Sequence, residues 1–297
     1  MGNKYNLIDL GNISEPAAGV VNNFIDKISN ALGWLAMPHN IKPAIIEANK
    51  SIIDEIAHRE DINPIERAAI VSNYKKIINE YKNQVDIMSI AVEYLDETAK
   101  PNDVKDDWLL YFFDKIKDVT EEEMKIIWGK ILAGEFNSPN TFTKKFLHTL
   151  SIMDSNIAST FEKIRSSCFY REPHLLTFIY RTNNDNINNI DAYRSLGLTF
   201  REFRELDCMG LIEYKDPYFY TILSKNKLIY YGNKTIRLTS NMDVIEAGNV
   251  SLTQTGKQLC RITEPEYDDK ILNICLDAWK TLGYNPVVEF IENDNKG

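Results

Sequence analysis

A run of apolar residues at helical spacing constrains this chain more than any other feature. The repeat consists of Ile65, Ala68, Val71, Tyr74, Ile78, Tyr81, Val85, Met88, Val92 and Leu95. Because Asn63-Pro64 precedes it and Lys100-Pro101 follows it, the pattern predicts one long helix between two prolines. Such a helix is a rod of about 50 Å, which is longer than a compact domain of ordinary size covers. The rod needs a neighbour, either the helix predicted over residues 41–58 or the same helix from another subunit.

The apolar stripe of this helix predicts self-association. The candidate residues are Tyr74, Ile78, Tyr81, Val85 and Met88. A soluble monomer rarely leaves a large apolar patch in water, and a twofold dimer is the simplest arrangement that covers one. We therefore expect a homo-oligomer. The alternative is that Tyr81 and Val85 face the protein's own core, in which case residues 14–58 of the same subunit would cover the helix.

Two further segments have the spacing of amphipathic helices. Residues 14–36 place apolar side chains at three- and four-residue steps, with Ser14 as the expected N-cap. A helix of this kind can lie on a membrane surface, but its polar face lacks a row of basic residues, which favours packing against a core or a partner. A second stripe within residues 103–117 is formed by Trp108, Tyr111, Phe112 and Ile116.

The stretch WGKILAGEF contains Gly129 and Gly134 at the spacing of a phosphate-binding loop. Such a loop requires Gly-Lys-Ser/Thr after the spacer and a strand before it. Here Gly134 is followed by Glu135, whose carboxylate would repel a phosphate. The preceding segment begins with Thr120 and Glu123, which predict a helical capping box. We therefore interpret Gly134 as a helix C-cap and the stretch as a corner between two helices.

The pattern changes in the second half of the chain. Thr199 is the expected N-cap of a short helix that ends at Gly210, and a strand follows. Alternating segments come next, with Gly232-Asn233 as a tight turn, before a helix restarts at Thr253. This order of helices and hairpin, followed by LTQTGKQL, resembles a winged helix of the kind found in many bacterial regulators.

DNA binding by this module would use its basic side chains. The candidate contacts are Arg201, Arg204, Lys225, Lys227, Lys234 and Arg237. The helix with the two arginines also carries Glu202, Glu205 and Asp207, so its net charge is negative, which disfavours contact with phosphates. Residues 1–160 hold 17 basic and 24 acidic side chains, and residues 200–262 hold 9 and 7. The charge favours a protein partner over nucleic acid, and hairpins also carry lysines to prevent edge pairing.

A metal-dependent nuclease is the enzymatic alternative that the residues suggest. Glu213 and Lys215 lie on a predicted strand, with Asp207 upstream. In metal-dependent nucleases such carboxylates hold Mg²⁺, and such a lysine binds the attacked phosphate. However, Asp207 lies on a helix only a few residues away, and a three-residue pattern recurs by chance in a charged chain. We therefore expect a non-enzymatic protein without a metal or another cofactor.

The spacing of the cysteines indicates the compartment. Cys168, Cys208, Cys260 and Cys275 form no close pair, which is typical of reduced thiols in the cytosol. The N-terminus has no basic stretch followed by an apolar run, and no segment approaches the apolar length of a membrane span. We expect a cytoplasmic protein without a membrane span.

The segment DDWLLYFFDKIKDVTEEEMKIIWGKILAGEFNSPNTFTKKFLHTLSIM and the N-terminal LIDLGNISEP resemble a group of uncharacterised bacterial proteins, domain of unknown function 2806. The resemblance covers most of residues 5–170, and its most specific string runs from Trp128 to Glu135. It implies a helical bacterial protein with no catalytic residues to carry over. Proteins of this group occur among accessory and mobile genes, which implies a role in phage defence.

The sequence as a whole predicts a mainly α protein. Residues 1–170 form a helical domain with one long helix, residues 171–263 a winged-helix-like α+β module, and residues 264–297 a helix and an extended tail. We expect a non-enzymatic interaction or regulatory protein whose partner is encoded nearby. A nucleic-acid-binding winged-helix regulator is the alternative, and a nuclease is the third possibility.

Overall fold

The computed structural model describes residues 15–33, 42–171, 174–180, 189–215, 220–223, 228–239 and 244–290. Within them the chain forms eleven α-helices, and antiparallel strands occur in its C-terminal part, which confirms a mainly α protein. None of the described helices is both long and apolar enough to cross a membrane. The predicted N-cap Ser14 and the candidate contacts Lys225 and Lys227 lie outside the described residues.

The chain divides into two compact units, Met1–Ser151 and Ile152–Gly297. The sequence predicts the first boundary at residue 170. In the structure the helix at Ser155–Ser166 groups with the second unit instead. The segment 264–297, predicted as a separate piece, also belongs to the second unit.

The described part of the first unit contains the helices α1 (Glu15–Leu32), α2 (Lys42–Ala57), α3 (Pro64–Val92), α4 (Asp106–Ile116), α5 (Glu122–Asn137) and α6 (Lys144–Ser151). Aromatic rings from α1, α4 and α5 meet in its core. Phe24 lies 4.6 Å from Phe136, and Phe112 lies 5.5 Å from Trp128, as measured between ring centroids. The apolar stripe of α1 is therefore packed into the unit, as its polar face predicts.

The helix α3 is the long helix predicted between the two prolines. The side chain of Asn63 caps its first turn by accepting a 2.9 Å hydrogen bond from the Ile65 amide. Its 29 residues make a rod of about 44 Å. All buried residues of α3 lie between Asn83 and Ala91, whereas none of residues 64–82 is buried. Both α5 and α2 pack against α3, so one neighbour is the predicted N-terminal helix of the same subunit.

The boundaries of α5 differ from the prediction. Its N-cap is Glu121, which makes no capping hydrogen bond through its side chain, so the predicted capping box of Thr120 and Glu123 is wrong. Gly134 lies inside α5 and is not its C-cap. The residue with left-handed backbone in the corner is Asn140, at φ 66°. Local pattern identified the corner but placed it a few residues too early.

Gly129 lies where α3 and α5 approach each other closely. A Cβ atom at this position would lie 2.5 Å from Cγ2 of Ile90 and 3.3 Å from the backbone nitrogen of Ala91. Because the second atom belongs to the backbone, rotation of a side chain cannot make enough room. Helix packing therefore explains the first glycine of the suspected phosphate loop.

We predict that Gly129→Ala lowers the free energy of unfolding by about 1–3 kcal/mol, because overpacking outweighs the higher helix propensity of alanine. The matched control is Gly19→Ala in α1, where no atom lies within 4 Å of the added Cβ. This control should retain the stability of the native chain or exceed it. Urea unfolding measures both changes, and equal effects would contradict the close contact.

The described part of the second unit contains the helices α7 (Ser155–Ser166), α8 (Ile190–Arg194), α9 (Phe200–Cys208), α10 (Gln254–Leu259) and α11 (Asp269–Thr281), and the strands β1 (Cys168–Arg171), β2 (His174–Thr177), β3 (Ile212–Tyr214), β4 (Tyr220–Leu223), β5 (Leu228–Tyr231), β6 (Lys234–Thr239), β7 (Val244–Gly248), β8 (Val250–Leu252) and β9 (Asn285–Phe290). The structure confirms the predicted N-cap Thr199, the predicted restart of a helix at Thr253 and the turn at Gly232-Asn233. The predicted last helix and extended tail correspond to α11 and β9.

The hairpin β5–β6 lies inside a sheet and is not a free wing. Five strands form an antiparallel sheet in the order β2-β1-β5-β6-β9, so β1 and β9 flank the hairpin on both sides. For Lys234, the interpretation as protection of an exposed hairpin edge is therefore wrong, because β6 pairs with β9. The strand β3, which directly follows α9, pairs with β8, and β4 pairs with β7. These pairings join segments that are distant in sequence.

Candidate interaction surfaces

The corner after α5 is held by the side chain of Glu135. This residue is 3 % exposed, and its two carboxylate oxygens accept hydrogen bonds from the backbone amides of Asn140 at 2.6 Å and Phe142 at 2.8 Å. Phe142 also explains Gly134, because a Cβ there would lie 2.9 Å from its ring. Burial raises the pKa of Glu135, although the backbone amides oppose the shift. The stretch is therefore a corner stabilised by hydrogen bonds between the Glu135 side chain and the backbone amides of the corner.

We predict that Glu135→Gln lowers the free energy of unfolding by about 1–3 kcal/mol, because the amide offers one acceptor where the backbone needs two. The native chain should lose part of this advantage as the pH rises. A raised pKa means that the folded state binds the proton of Glu135 more tightly than the unfolded state does. The stabilisation from this bound proton is complete below the pKa of Glu135 in the unfolded state. It is lost as the pH rises through the pKa in the folded state.

Chemical unfolding from the acid side of the glutamate pKa to neutrality measures this difference. Glu123→Gln is the matched control, since Glu123 is exposed in the first turn of the same helix. A gap between Glu135→Gln and the native chain that widens with pH would contradict the assigned direction.

Both arginines of α9 pair with acidic side chains of the same helix. Arg201 Nε lies 2.9 Å from Glu205 Oε1, and Arg204 Nη1 lies 2.8 Å from Asp207 Oδ2. The hydrogen bond that Arg201 donates to Glu205 is the main cause of the raised pKa of Arg201. Exposed pairs of this kind are weak, so a phosphate could displace them. The net negative charge of the helix is the stronger argument against DNA.

The candidate contacts on β6 have different surroundings. The side chain of Lys234 is 12 % exposed and forms an ion pair with Asp269, and its ammonium group lies 5.7 Å from the ring centroid of Phe290. It is therefore bound within the unit. Arg237 is exposed, opposite Val287 in the register of β6 and β9. The described basic candidates on the hairpin thus provide one solvent-facing side chain.

The residues of the nuclease alternative do not form a ligand set. Glu213 and Lys215 are exposed, with Nζ 3.9 Å from Oε2, and Asp207 is paired with Arg204. Among the described residues, no group of three or more His, Cys, Asp or Glu side chains has an arrangement that could hold a metal ion.

The acidic link between α10 and α11 lines a cavity that the sequence did not predict. Its volume is about 460 Å³, and its lining includes Glu162, Lys163, Glu264, Tyr267 and Asp268. Acidic side chains outnumber basic ones in this lining, so the cavity disfavours anionic ligands.

The residues predicted for self-association divide into two groups. Val85 and Met88 are 3 % and 2 % exposed and belong to the core of the first unit, so they cannot contact a second subunit. Tyr74 is exposed, and Ile78 and Tyr81 are half-buried. The difference follows from the position of α5, which covers only the C-terminal half of α3.

Other apolar side chains of the α2–α3 hairpin are more exposed than the predicted ones. Ile65 is 81 % exposed, Ile77 54 %, and Ile52 on α2 39 %. Ile70, Tyr74, Ile77 and Tyr81 follow one another at steps of four, three and four residues, a second apolar stripe beside the predicted one. This spacing was the signal that could have identified Ile77. Ile65 lies about 120° around α3 from Ile77 and is not part of this stripe. We call Ile52, Tyr74 and Ile77 the hairpin patch.

Comparison with protein families gives one match, to the family described as protein of unknown function (DUF2806), over residues 69–274. The match spans more than half of the chain. The chain belongs to the DUF2806 family. No curated protein and no solved structure matches it.

The DUF2806 match has different limits from the resemblance seen in the sequence. It begins inside α3 and ends inside α11, so it includes most of the second unit and leaves out α1 and α2. The resemblance had been placed on residues 5–170. The DUF2806 region therefore contains Tyr74 and Ile77 of the hairpin patch, whereas Ile52 lies before it.

Proposed function

We propose that this DUF2806 protein is a non-enzymatic interaction protein that self-associates through its α2–α3 hairpin. The hairpin patch is the observation that carries the proposal. Soluble monomers scatter exposed apolar side chains singly over their surface, but here Tyr74 and Ile77 are exposed on one stripe of α3, and Ile52 is exposed on the neighbouring α2.

The geometry of a helical hairpin supports a second copy as the occupant. An amphipathic helix has an apolar arc wider than a single neighbouring helix covers. In the N-terminal half of α3 the arc includes the half-buried Ile70 and Ile78 as well as the exposed Tyr74 and Ile77. Two hairpins that face each other form a four-helix bundle, in which each helix contacts two neighbours. Twofold symmetry closes this arrangement, because the same patch serves on both subunits.

The energy available from the exposed side chains is small. The exposed fractions of Ile52, Tyr74 and Ile77 are 39 %, 40 % and 54 %, equivalent to little more than one fully exposed side chain. Their burial contributes about 3 kcal/mol per subunit and about 6 kcal/mol per dimer. Association costs at least about 4 kcal/mol, so the patch alone leaves a net gain of about 2 kcal/mol. A dissociation constant of micromolar order corresponds to about 8 kcal/mol, so in a micromolar dimer half-buried neighbours such as Ile70 and Ile78 must supply the difference.

We predict that the variant Tyr74→Glu, Ile77→Glu is a monomer at concentrations where the native chain is a dimer, because burial of four carboxylates opposes association. Its thermal unfolding should remain close to that of the native monomer, since neither side chain is buried in the subunit. Sedimentation velocity over a dilution series measures the association.

The matched control is Ile126→Glu, which places the same charge on an isoleucine that is 41 % exposed on α5 of the same unit. This control should dimerise like the native chain. A native chain that stays monomeric at all concentrations, or a control that dissociates as fully as the double variant, would overturn the proposal.

We infer that the α8–α9 region is a winged-helix-like module that contacts protein. Three observations support this. The helices α8 and α9 are joined by a short turn in which Gly197 has φ +74°. The strand β3 follows α9 and pairs with β8, and α10 comes directly after β8. This order is that of a helix-turn-helix followed by a β-ribbon. In such a module the pairs β3–β8 and β4–β7 take the place of the wing.

We predict that duplex DNA binds the protein only weakly and dissociates near physiological salt, because the candidate recognition helix is net negative. Fluorescence anisotropy with a labelled duplex over a salt series measures this. Arg201→Ala, Arg204→Ala should change the affinity little. A salt-resistant footprint on the protein's own promoter that this variant abolishes would favour the nucleic-acid regulator instead.

Under this proposal the protein acts in the bacterial cytoplasm as a component of a phage-defence system, with a protein partner encoded nearby. The cysteine pattern supports the cytoplasm, and the resemblance seen in the sequence suggests phage defence. Purification of the tagged chain from its own host, with and without the double substitution in the hairpin patch, would show whether partner binding depends on self-association.

A further inference from the structure

The cavity beside the acidic link has the size of a site for a small molecule. It is lined by the C-terminal half of α7, the turn after α8, the link between α10 and α11, and the first turn of α11. Its volume of about 460 Å³ lies within the range of about 300–1,000 Å³ that is typical of small-molecule sites. All of its lining residues belong to the second unit, so the cavity does not depend on the position of the first.

Hydrogen bonds fix the link to the end of α7. The Tyr231 hydroxyl donates to the carbonyl oxygen of Ser166 at 2.9 Å and accepts from the amide of Asp268 at 3.1 Å. The hydroxyl oxygen of Ser166 also accepts from the amide of Glu266 at 3.2 Å. The walls of the cavity are therefore held in place before a ligand binds, which lowers the entropy that binding costs.

The charge of the lining selects cations. Glu162 on α7 and Glu264 and Glu266 on the link are exposed, and none of the three forms an ion pair with any residue that the structure describes. The carboxylate of Asp268 accepts a 2.8 Å hydrogen bond from the Lys270 amide, so it is used as the N-cap of α11. The last turn of α7 also lines the cavity, and the C-terminal end of a helix has a partial negative charge.

The described lining also contains one basic side chain, Lys163. Its ammonium group lies against the turn after α8, because a Cβ atom at Gly197 would be 2.7 Å from Nζ. Lys163 opposes the binding of a cation, but three glutamates without an ion pair outweigh its single charge.

An aromatic ring in the lining favours an organic cation over a metal ion. Tyr267 is 47 % exposed, and its ring packs against Tyr231 at 76°, with the centroids 4.8 Å apart. A Cβ atom at Gly232 would lie 3.1 Å from this ring, so the ring is confined on that side as well. Aromatic rings attract ammonium groups. Within the described part of the chain no three acidic, histidine or cysteine side chains converge on a point that could hold a metal ion, so the charges suit a ligand that is itself extended.

We propose that this cavity binds a linear polyamine, a molecule whose ammonium groups are separated by short chains of methylene groups. The carboxylates of Glu162, Glu264 and Glu266 pair with separate ammonium groups, and the ring of Tyr267 contacts one ammonium group and the methylene groups beside it. Leu196 supplies a half-buried apolar surface for the rest of the chain of methylene groups. The hairpin patch belongs to the first unit, so this proposal does not rest on self-association.

Isothermal titration calorimetry of the full chain with spermidine tests the site. We expect one binding site per chain, with an affinity that falls as the salt concentration rises. Glu264→Gln, Glu266→Gln should weaken binding about tenfold. The matched control is Glu121→Gln, Glu123→Gln, which removes the same charge from two exposed glutamates at the start of α5 and should bind like the native chain. Absence of binding to the native chain, or an equal loss in both double variants, would overturn the proposal.

Two single variants separate the ring from the charge. Tyr267→Leu should weaken spermidine binding about fivefold without any change in charge, and Lys163→Met should strengthen it because the only basic side chain of the described lining is removed. Urea unfolding checks that each variant is folded. Unchanged affinity in the folded Tyr267→Leu variant would contradict the assigned role of the ring.

Two competing probes identify the source of the cation. Neither Mg²⁺ nor a short peptide with a single lysine should displace spermidine when it is added at the same concentration. Displacement by Mg²⁺ would indicate general attraction of inorganic cations, and displacement by the peptide would assign the cavity to a lysine of a protein partner. Either result would overturn the polyamine site.

Discussion

The contact between α3 and α5 is the constraint on which the first unit depends. A Cβ atom at position 129 would lie 2.5 Å from Cγ2 of Ile90 and 3.3 Å from the backbone nitrogen of Ala91, so glycine permits the close approach. The buried residues of α3 all lie in its C-terminal half, and among the described residues α2 also packs against α3. One end of this helix is therefore covered within the unit, and the other keeps exposed apolar side chains. The proposed function follows from that division.

The second unit holds its charged groups in local pairs. The arginines of α9 pair with acids one turn away, and Lys234 pairs with Asp269. Because these basic side chains have acidic neighbours, the unit presents no cluster of free positive charge among its described residues on α9 and β6. A protein partner, which does not require such a cluster, fits this surface better than a DNA backbone does.

The sequence predicted well those helices and turns whose signal lies within the element itself. The period of apolar residues located α3, and the capping residue Thr199 located α9. The errors arose where contacts with distant segments determine the burial or the position of an element. The burial of Val85 depends on α5, and the position of the β5–β6 hairpin depends on β1 and β9, which lie far away on either side in the sequence.

The candidate sites show the same limit. The predicted self-association stripe of α3 does not include the exposed Ile77, although a second apolar stripe beside it is present in the sequence. Periodicity predicts that a helix has an apolar face, but only the tertiary structure determines which part of that face is left uncovered.

Hydrogen exchange of α3 at several protein concentrations tests the central claim most directly. If the α2–α3 hairpin is the self-association surface, amides within residues 64–82 become more protected as the concentration rises through the micromolar range. Amides within residues 83–92, which the core of the unit already covers, keep the same protection. Protection of residues 64–82 that does not depend on concentration, while the chain remains monomeric, would contradict the account.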